Sequence, residues 1–136
     1  NLLLSGVLER HPTLHVVSVE SGLGWIPFLL EGLDYEIGEC APHISEHLSM
    51  LPSEYFRRQV HACYWFERDH LEVALDALGS DNILFETDFP HPTCLYPDSL
   101  SRAAEPLRAI EPAVRRKILS TNAATLYRIP VPDAAA

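Results

Sequence analysis

The sequence predicts an α/β fold built on a parallel sheet. Three β-branched or apolar runs stand apart along the chain. Each is separated from the next by a stretch of helical periodicity, and no hairpin turn signal joins any two of them. Strands connected through helices form right-handed βαβ units, which set the strands parallel. Three strands make a narrow sheet whose two faces both need cover, so the pattern reads as part of a larger α/β body.

In order, Leu2, Leu3, Leu4, Val7 and Leu8 recur at helical spacing up to His11-Pro12, where the proline ends the helix. Leu14 to Glu20 is the first strand, and Ser21-Gly22-Leu23-Gly24 is the turn after it. A helix from Trp25 to Tyr35 follows, with Pro27 in its first turn, where the missing N–H does no harm. Trp25, Phe28, Leu29 and Leu30 are expected to pack that helix on the sheet. Gly38 to Met50 reads as a long polar loop, and Pro52 opens a short helix through Arg58. Val60 to Phe66 is the second strand, with Trp65 and Phe66 expected in the core, and Asp69 is expected to cap a helix to Leu78. Asn82 to Asp88 is the third strand. Asp98 or Ser99 then caps a helix that Pro106 ends or kinks, and two short helices run from Pro112 to Leu119 and from Asn122 to Tyr127.

The chain of 136 residues has the length of one domain, with 47% hydrophobic and 21% charged residues, which is globular and not disordered composition. Ten basic against 19 acidic residues leave a net charge of −9, which argues against a nucleic-acid partner. The longest strongly apolar stretches fall far short of the ~18–20 residues of a membrane span, so no membrane partner is expected. Three widely spaced cysteines (Cys40, Cys63, Cys94) suggest neither a disulfide framework nor a zinc knuckle, which favours a reducing, cytoplasmic setting. Cys63 reads as a small hydrophobe inside a strand, and Cys94 lacks an evident base. Asn1 runs straight into Leu2-Leu3-Leu4 with no basic segment before it, so the expectation is a piece of something longer rather than a secretory leader.

In open α/β sheets and (β/α)8 barrels, active sites gather at the carboxyl ends of the strands. Here the first strand ends in Glu20 and the third in Thr87-Asp88-Phe89-Pro90-His91-Pro92. A period of two puts Glu86 and Asp88 on one face of the third strand and Ser18 and Glu20 on one face of the first. Should those faces converge, three carboxylates crowd one end of the sheet, and a divalent metal is the simplest neutralising cation.

The same residues carry a family resemblance. Leu8-Glu9-Arg10-His11-Pro12, the Val19-Glu20-Ser21-Gly22-Leu23-Gly24-Trp25-Ile26-Pro27 strand end, the Leu51 to Gln59 segment, the Asn82 to Pro92 block and the Asn122 to Tyr127 ending together resemble the amidohydrolase-2 family. That family of metal-dependent TIM-barrel hydrolases includes aminocarboxymuconate-semialdehyde decarboxylase. The resemblance implies an α/β chain that is the C-terminal part, about strands six to eight, of a (β/α)8 barrel, with residues 1–129 in the barrel and 130–136 a flexible tail. It implies Asp88 as the strand-eight aspartate that binds metal and moves a proton beside an activated water, with His91 next to it or against the substrate. Many members carry a histidine where this chain has Glu20, so Glu20 stands as a metal ligand or catalytic carboxylate in its place.

The implied function is a metal-dependent hydrolase acting on a small polar organic substrate, with zinc expected and manganese possible. The alternatives are a non-oxidative decarboxylase of the same family and a non-catalytic barrel fragment serving as a structural or interaction module. The family's HxH pair is absent from this sequence, and a full barrel takes ~250 residues, so the chain alone is expected to be inactive. Open strand edges suggest a homo-oligomer. His43-Ile44-Ser45-Glu46-His47 matches the H-x-x-E-H pattern of inverted zinc peptidases, but Pro42 and the lack of an apolar helical stripe argue against it. Gly22-Leu23-Gly24 is too short for a dinucleotide fingerprint.

Overall fold

The computed structural model describes residues 1–40, 43 and 46–131. Its centre is a parallel sheet in the order β1 (Val16–Ser18), β2 (Val60–Tyr64), β3 (Ile83–Phe85). Val16 pairs with Val60 and Ser18 with Ala62, while Ala62 pairs with Ile83 and Tyr64 with Phe85. The helices are α1 (Val7–Arg10), α2 (Ile26–Tyr35), α3 (Pro52–Gln59), α4 (Leu71–Leu78), α5 (Ser99–Ala104), α6 (Pro112–Arg116) and α7 (Asn122–Tyr127).

β2 is the middle strand and is buried along its whole length. Its alternate residues Val60, Ala62 and Tyr64 face a core that takes Ile26 and Leu30 from α2, Tyr55 and Phe56 from α3, Leu71, Ala74 and Leu78 from α4, and Ile83 from β3. Burying an aliphatic side chain such as Ile26 or Leu71 contributes about 1.5–3 kcal/mol. His61, Cys63 and Leu84 are also buried, yet they stand outside that cluster, on the sheet's other face.

Side-chain amides staple the amino ends of the strands. Gln59 donates to the carbonyls of His11 and Leu14 at 2.7 and 2.9 Å, which fixes the approach to β1. Asn82 donates to Phe56, Arg57 and Val60 carbonyls at 3.2, 2.8 and 2.7 Å, joining the entry of β3 to that of β2. Asn122 reaches the Ser80 and Ile83 carbonyls, both at 2.7 Å. Each amide satisfies backbone oxygens that burial would otherwise leave unpaired.

Several expected elements are shorter or different. The first helix begins only at Val7, because Gly6 before it is left-handed (φ 72°) and residues 2–4 form a turn. The strands stop at Ser18, Tyr64 and Phe85, short of Glu20, Phe66 and Asp88. A five-residue π-helical turn, Glu36–Cys40, runs into the stretch expected to be loop, and a second, Lys117–Thr121, replaces the end of the helix expected to reach Leu119. Asp69 does not cap α4, which starts after His70, and Asp98 precedes α5 without a capping side-chain bond. Phe28 is 84% exposed, and Trp25 and Leu29 are exposed as well. Only Ile26 and Leu30, one helical turn apart, carry the buried stripe of α2. Phe66 is likewise exposed, while Trp65 is partly buried. The H-x-x-E-H motif lies partly outside the described residues, at 44 and 45. Within them, Glu46 and His47 sit in a turn, and His47 Nε2 pairs with the Leu4 carbonyl at 3.0 Å. Residues 132–136 of the expected tail lie outside the described residues too.

Two outcomes follow for stability. Asn82→Ala leaves buried carbonyls without their donor and is expected to cost about 2 kcal/mol, read from urea unfolding. The His61 imidazole meets His15 Nδ1 at 3.1 Å, and burial, then the neighbouring His15, hold it below its ordinary value. The unfolded chain therefore takes up that proton first: the His61 contribution is complete above about pH 6.5 and is lost as pH falls through the lowered value. His61→Gln should flatten that acid limb of the stability curve.

Candidate active site

β1 ends at Ser18 and β3 at Phe85, and two or three residues past each end stands a left-handed residue that is not glycine: Glu20 after β1 and Asp88 after β3, both at φ 57°. Such a conformation costs about 1–3 kcal/mol and needs its surroundings to hold it. Around Asp88 the loop folds back through three backbone bonds, from His91 N to the Asp88 carbonyl (2.9 Å), Cys94 N to the His91 carbonyl (3.0 Å) and Leu95 N to the Thr87 carbonyl (3.2 Å).

That fold-back brings the Asp88 carboxylate under two donors. His91 Nδ1 lies 2.7 Å from Oδ1, and Thr93 Oγ1 donates to Oδ2 at 2.7 Å. The Asp88 side chain is only 3% exposed, whereas those of His91 and Glu20 are more than half exposed. Glu20 Oε2 stands 3.7 Å from the same His91 Nδ1. Among the described residues, Glu20, Asp88 and His91 form a group whose ligand atoms all lie within 4.8 Å of one another. The three residues singled out in the sequence therefore meet in space. Their convergence comes from the two left-handed turns and not from strand alternation, since neither Glu20 nor Asp88 is within a strand.

The electrostatics follow the contacts. The Thr93 hydroxyl, and then the His91 imidazole, hold the Asp88 carboxyl below the usual carboxylate range. The hydrogen bond and charge of Asp88, with the charge of Glu20 behind them, raise His91 above an ordinary imidazole. Glu86 behaves oppositely. Burial pushes its carboxyl up, and the charges of Glu20 and Asp88 add to that push. Cys63 beside it is driven up to about 12, by burial first and then by Glu86.

Sequence reasoning counted Glu86 among the crowded carboxylates without giving it a place in the site. In the structure its Oε1 accepts from the Glu20 backbone N–H at 2.8 Å, and among the described residues its Oε2 is buried without a partner. Glu67 was missed altogether. It is buried and accepts from Leu23 N–H and, at 3.4 Å, from Trp65 N–H, so it anchors the turn after Glu20. A Cβ on left-handed Gly22 (φ 66°) would lie 2.5 Å from Glu67 Oε1, so that turn requires glycine. A lone acid just past a strand end is the only signal that pointed to Glu67. Cys94 is partly buried in the loop after His91, and Ser18 and Ser21 pair through their hydroxyls at 2.6 Å.

Thr93→Val removes the first of the two donors to Asp88. In the metal-free chain the Asp88 carboxyl should then titrate at higher pH than in the parent, measured by carboxyl carbon NMR.

The amidohydrolase family model matches residues 1–129. No curated protein matches the chain. Among solved structures, the chain is 30% identical to an amidohydrolase from Mycobacterium avium subsp. paratuberculosis K-10, over 92% of this chain and 31% of that one, with a TM-score of 0.76. It is 29% identical to 5-carboxyvanillate decarboxylase LigW from Sphingomonas paucimobilis, over 95% of this chain and 38% of that one, with a TM-score of 0.74. A dihydroxybenzoic acid decarboxylase from Polaromonas sp. JS666, with bound manganese and the inhibitor 2-nitroresorcinol, shares the fold at 23% identity and a TM-score of 0.69, over 94% of this chain and 38% of that one. The chain thus spans 31% to 38% of the length of these structures. The match over residues 1–129 and the fold shared with these structures make this chain a member of the amidohydrolase family.

Proposed function

We propose that this chain supplies strands six to eight of a metal-dependent (β/α)8 enzyme, and that the enzyme removes the carboxylate of a small polar organic acid as CO2. The observation that carries the reading is the meeting of Glu20, Asp88 and His91 donor atoms within 4.8 Å at the carboxyl ends of β1 and β3. The donor set suits a divalent ion. The Glu20 and Asp88 carboxylates are ordinary ligands of zinc and manganese, and Glu86 behind them adds a third acidic group. Asp88 and Glu20 are the residues that would hold it. When bound, such a cation neutralises the crowded carboxylates and draws electron density from a coordinated oxygen.

The chain's own residues do the rest. Thr93 and His91 aim the two Asp88 oxygens, and His91 Nδ1 holds a proton against Oδ1. In decarboxylation the electrons of the breaking C–C bond stay on carbon, which must then receive a proton. The Asp88–His91 pair is the group that holds one here. The exposed side of His91 leaves that pair open to a substrate. Decarboxylation comes first because several of the similar structures are decarboxylases, among them 5-carboxyvanillate decarboxylase at 29% identity and 2,6-dihydroxybenzoate decarboxylase at 25%. Hydrolysis is the second reading. It uses the same pair in the opposite sense, taking a proton from water, and the amidohydrolase at 30% identity favours it.

The test is metal binding and turnover. Titrated with Mn2+ or Zn2+, the parent chain should bind at least tenfold more tightly than Asp88→Asn, measured by calorimetry. Equal binding by the two removes Asp88 from the site. The 136-residue chain alone should release no CO2 from carboxylated phenols and hydrolyse no amide, whereas a version extended upstream through an HxH-bearing strand should do one or the other. Equal turnover by the two overturns the idea that this part is insufficient.

A further inference from the structure

We infer that Glu86 is the positioning residue of the site: its carboxylate reaches from the end of β3 across the end of β2 and fixes the backbone of Glu20. β1 and β3 are not neighbours in the sheet, so no ladder bond connects their ends. The link between them is the 2.8 Å bond from the Glu20 N–H to Glu86 Oε1. Glu86 is itself anchored, since its own N–H donates to the Tyr64 carbonyl at 3.1 Å. It therefore transmits the position of β2 and β3 to a residue that lies two places beyond the last residue of β1.

Glu20 needs such a hold. At φ 57° it occupies a conformation that an unconstrained glutamate leaves, and a lost bond would free both its backbone and the direction of its carboxylate. That carboxylate stands 3.7 Å from His91 Nδ1, so a small rotation at Glu20 breaks up the three-donor group. The way Glu86 is buried agrees. Among the described residues its Oε2 is buried and meets no nitrogen or oxygen donor, with the Cys63 thiol beside the carboxyl, so the Glu20 N–H is the one N–H that its side chain holds. Groups that orient ligands from behind are worth 10–100-fold in metal affinity when lost, which sets the size of the expected effect. The metal arm of this inference rests on the functional reading above. The backbone arm does not.

The experiment uses the full chain with Glu86→Ala and Glu86→Gln, each checked for folding by urea midpoint and near-ultraviolet circular dichroism. Glutamine keeps an oxygen acceptor for the Glu20 N–H and alanine does not. In Glu86→Ala the Glu20 amide should exchange its hydrogen about tenfold faster than in the parent, and Glu86→Gln should restore the parent rate. Titration with Mn2+, followed by paramagnetic broadening of the Glu20 and Asp88 amide signals, should give an apparent Kd about tenfold higher in Glu86→Ala and near the parent value in Glu86→Gln. Unchanged Glu20 exchange in a folded Glu86→Ala overturns the inference, as does fast exchange in a folded Glu86→Gln. If alanine fails to fold, parent-like exchange in the glutamine variant supports the inference. If the exchange pattern is as expected while Mn2+ broadens neither signal in the parent, the positioning role stands and the metal reading falls.

Discussion

Parallel alignment of the three strands is the constraint from which the rest follows. It sends every carboxyl end to one side, so Glu20, Glu86 and Asp88 collect there whatever their mutual repulsion. It sends every amino end to the other side, where Gln59, Asn82 and Asn122 tie the chain to itself with neutral amides. The sheet is thus polarised into a stapled end and a charged end. The staples hold the strands in place, and the charged end is left to groups that a stable fold alone would not assemble.

The charged end tolerates its carboxylates by giving them unlike surroundings. Asp88 has a hydroxyl and an imidazole against its two oxygens and is held in its charged form. Glu86 lies in a buried place and is pushed toward its neutral form, with a backbone N–H on one oxygen and the Cys63 thiol beside it. Glu20 stays half in solvent. Environments that separate the titration of neighbouring acids are a mark of sites that do chemistry. Here the separation of Asp88 from Glu86 comes from position: one acid lies in a folded-back loop between two donors, the other is buried against the sheet.

Much of this was legible in the sequence, and the limit is physical. The β-branched run at 14–20, the strand before Thr87-Asp88 and the helical stretches between them gave the order of elements, because backbone preference and burial act over windows of several residues. The residues Glu20, Asp88 and His91 were legible as neighbours at strand ends. The reason they meet was not. Alternation along extended strands was the argument, whereas left-handed φ at Glu20 and Asp88 is what turns the chain. A single residue's φ leaves no periodic trace unless it is glycine, as at Gly22. Trp25, Phe28 and Leu29 misled for a related reason. Their apolar character was plain, but which side of α2 meets the sheet is set by Ile26 and Leu30 together. Glu67 was invisible because its carboxylate acts on a backbone N–H, that of Leu23, 44 residues away in sequence.

The sheet's two faces are unlike. One face is packed by α2, α3 and α4 around Val60, Ala62 and Tyr64. The other carries His61, Cys63 and Leu84 at core-like burial, yet among the described residues His61 Nδ1 and Glu86 Oε2 find no partner. A parallel sheet needs cover on both sides, and buried polar atoms need bonds. The structures that share this fold are more than twice as long as this chain, which spans 31% to 38% of them. The carboxyl ends of β1 and β3 carry the three acids, and the face on which His61 and Glu86 lie is the one where the described residues leave polar atoms without bonds.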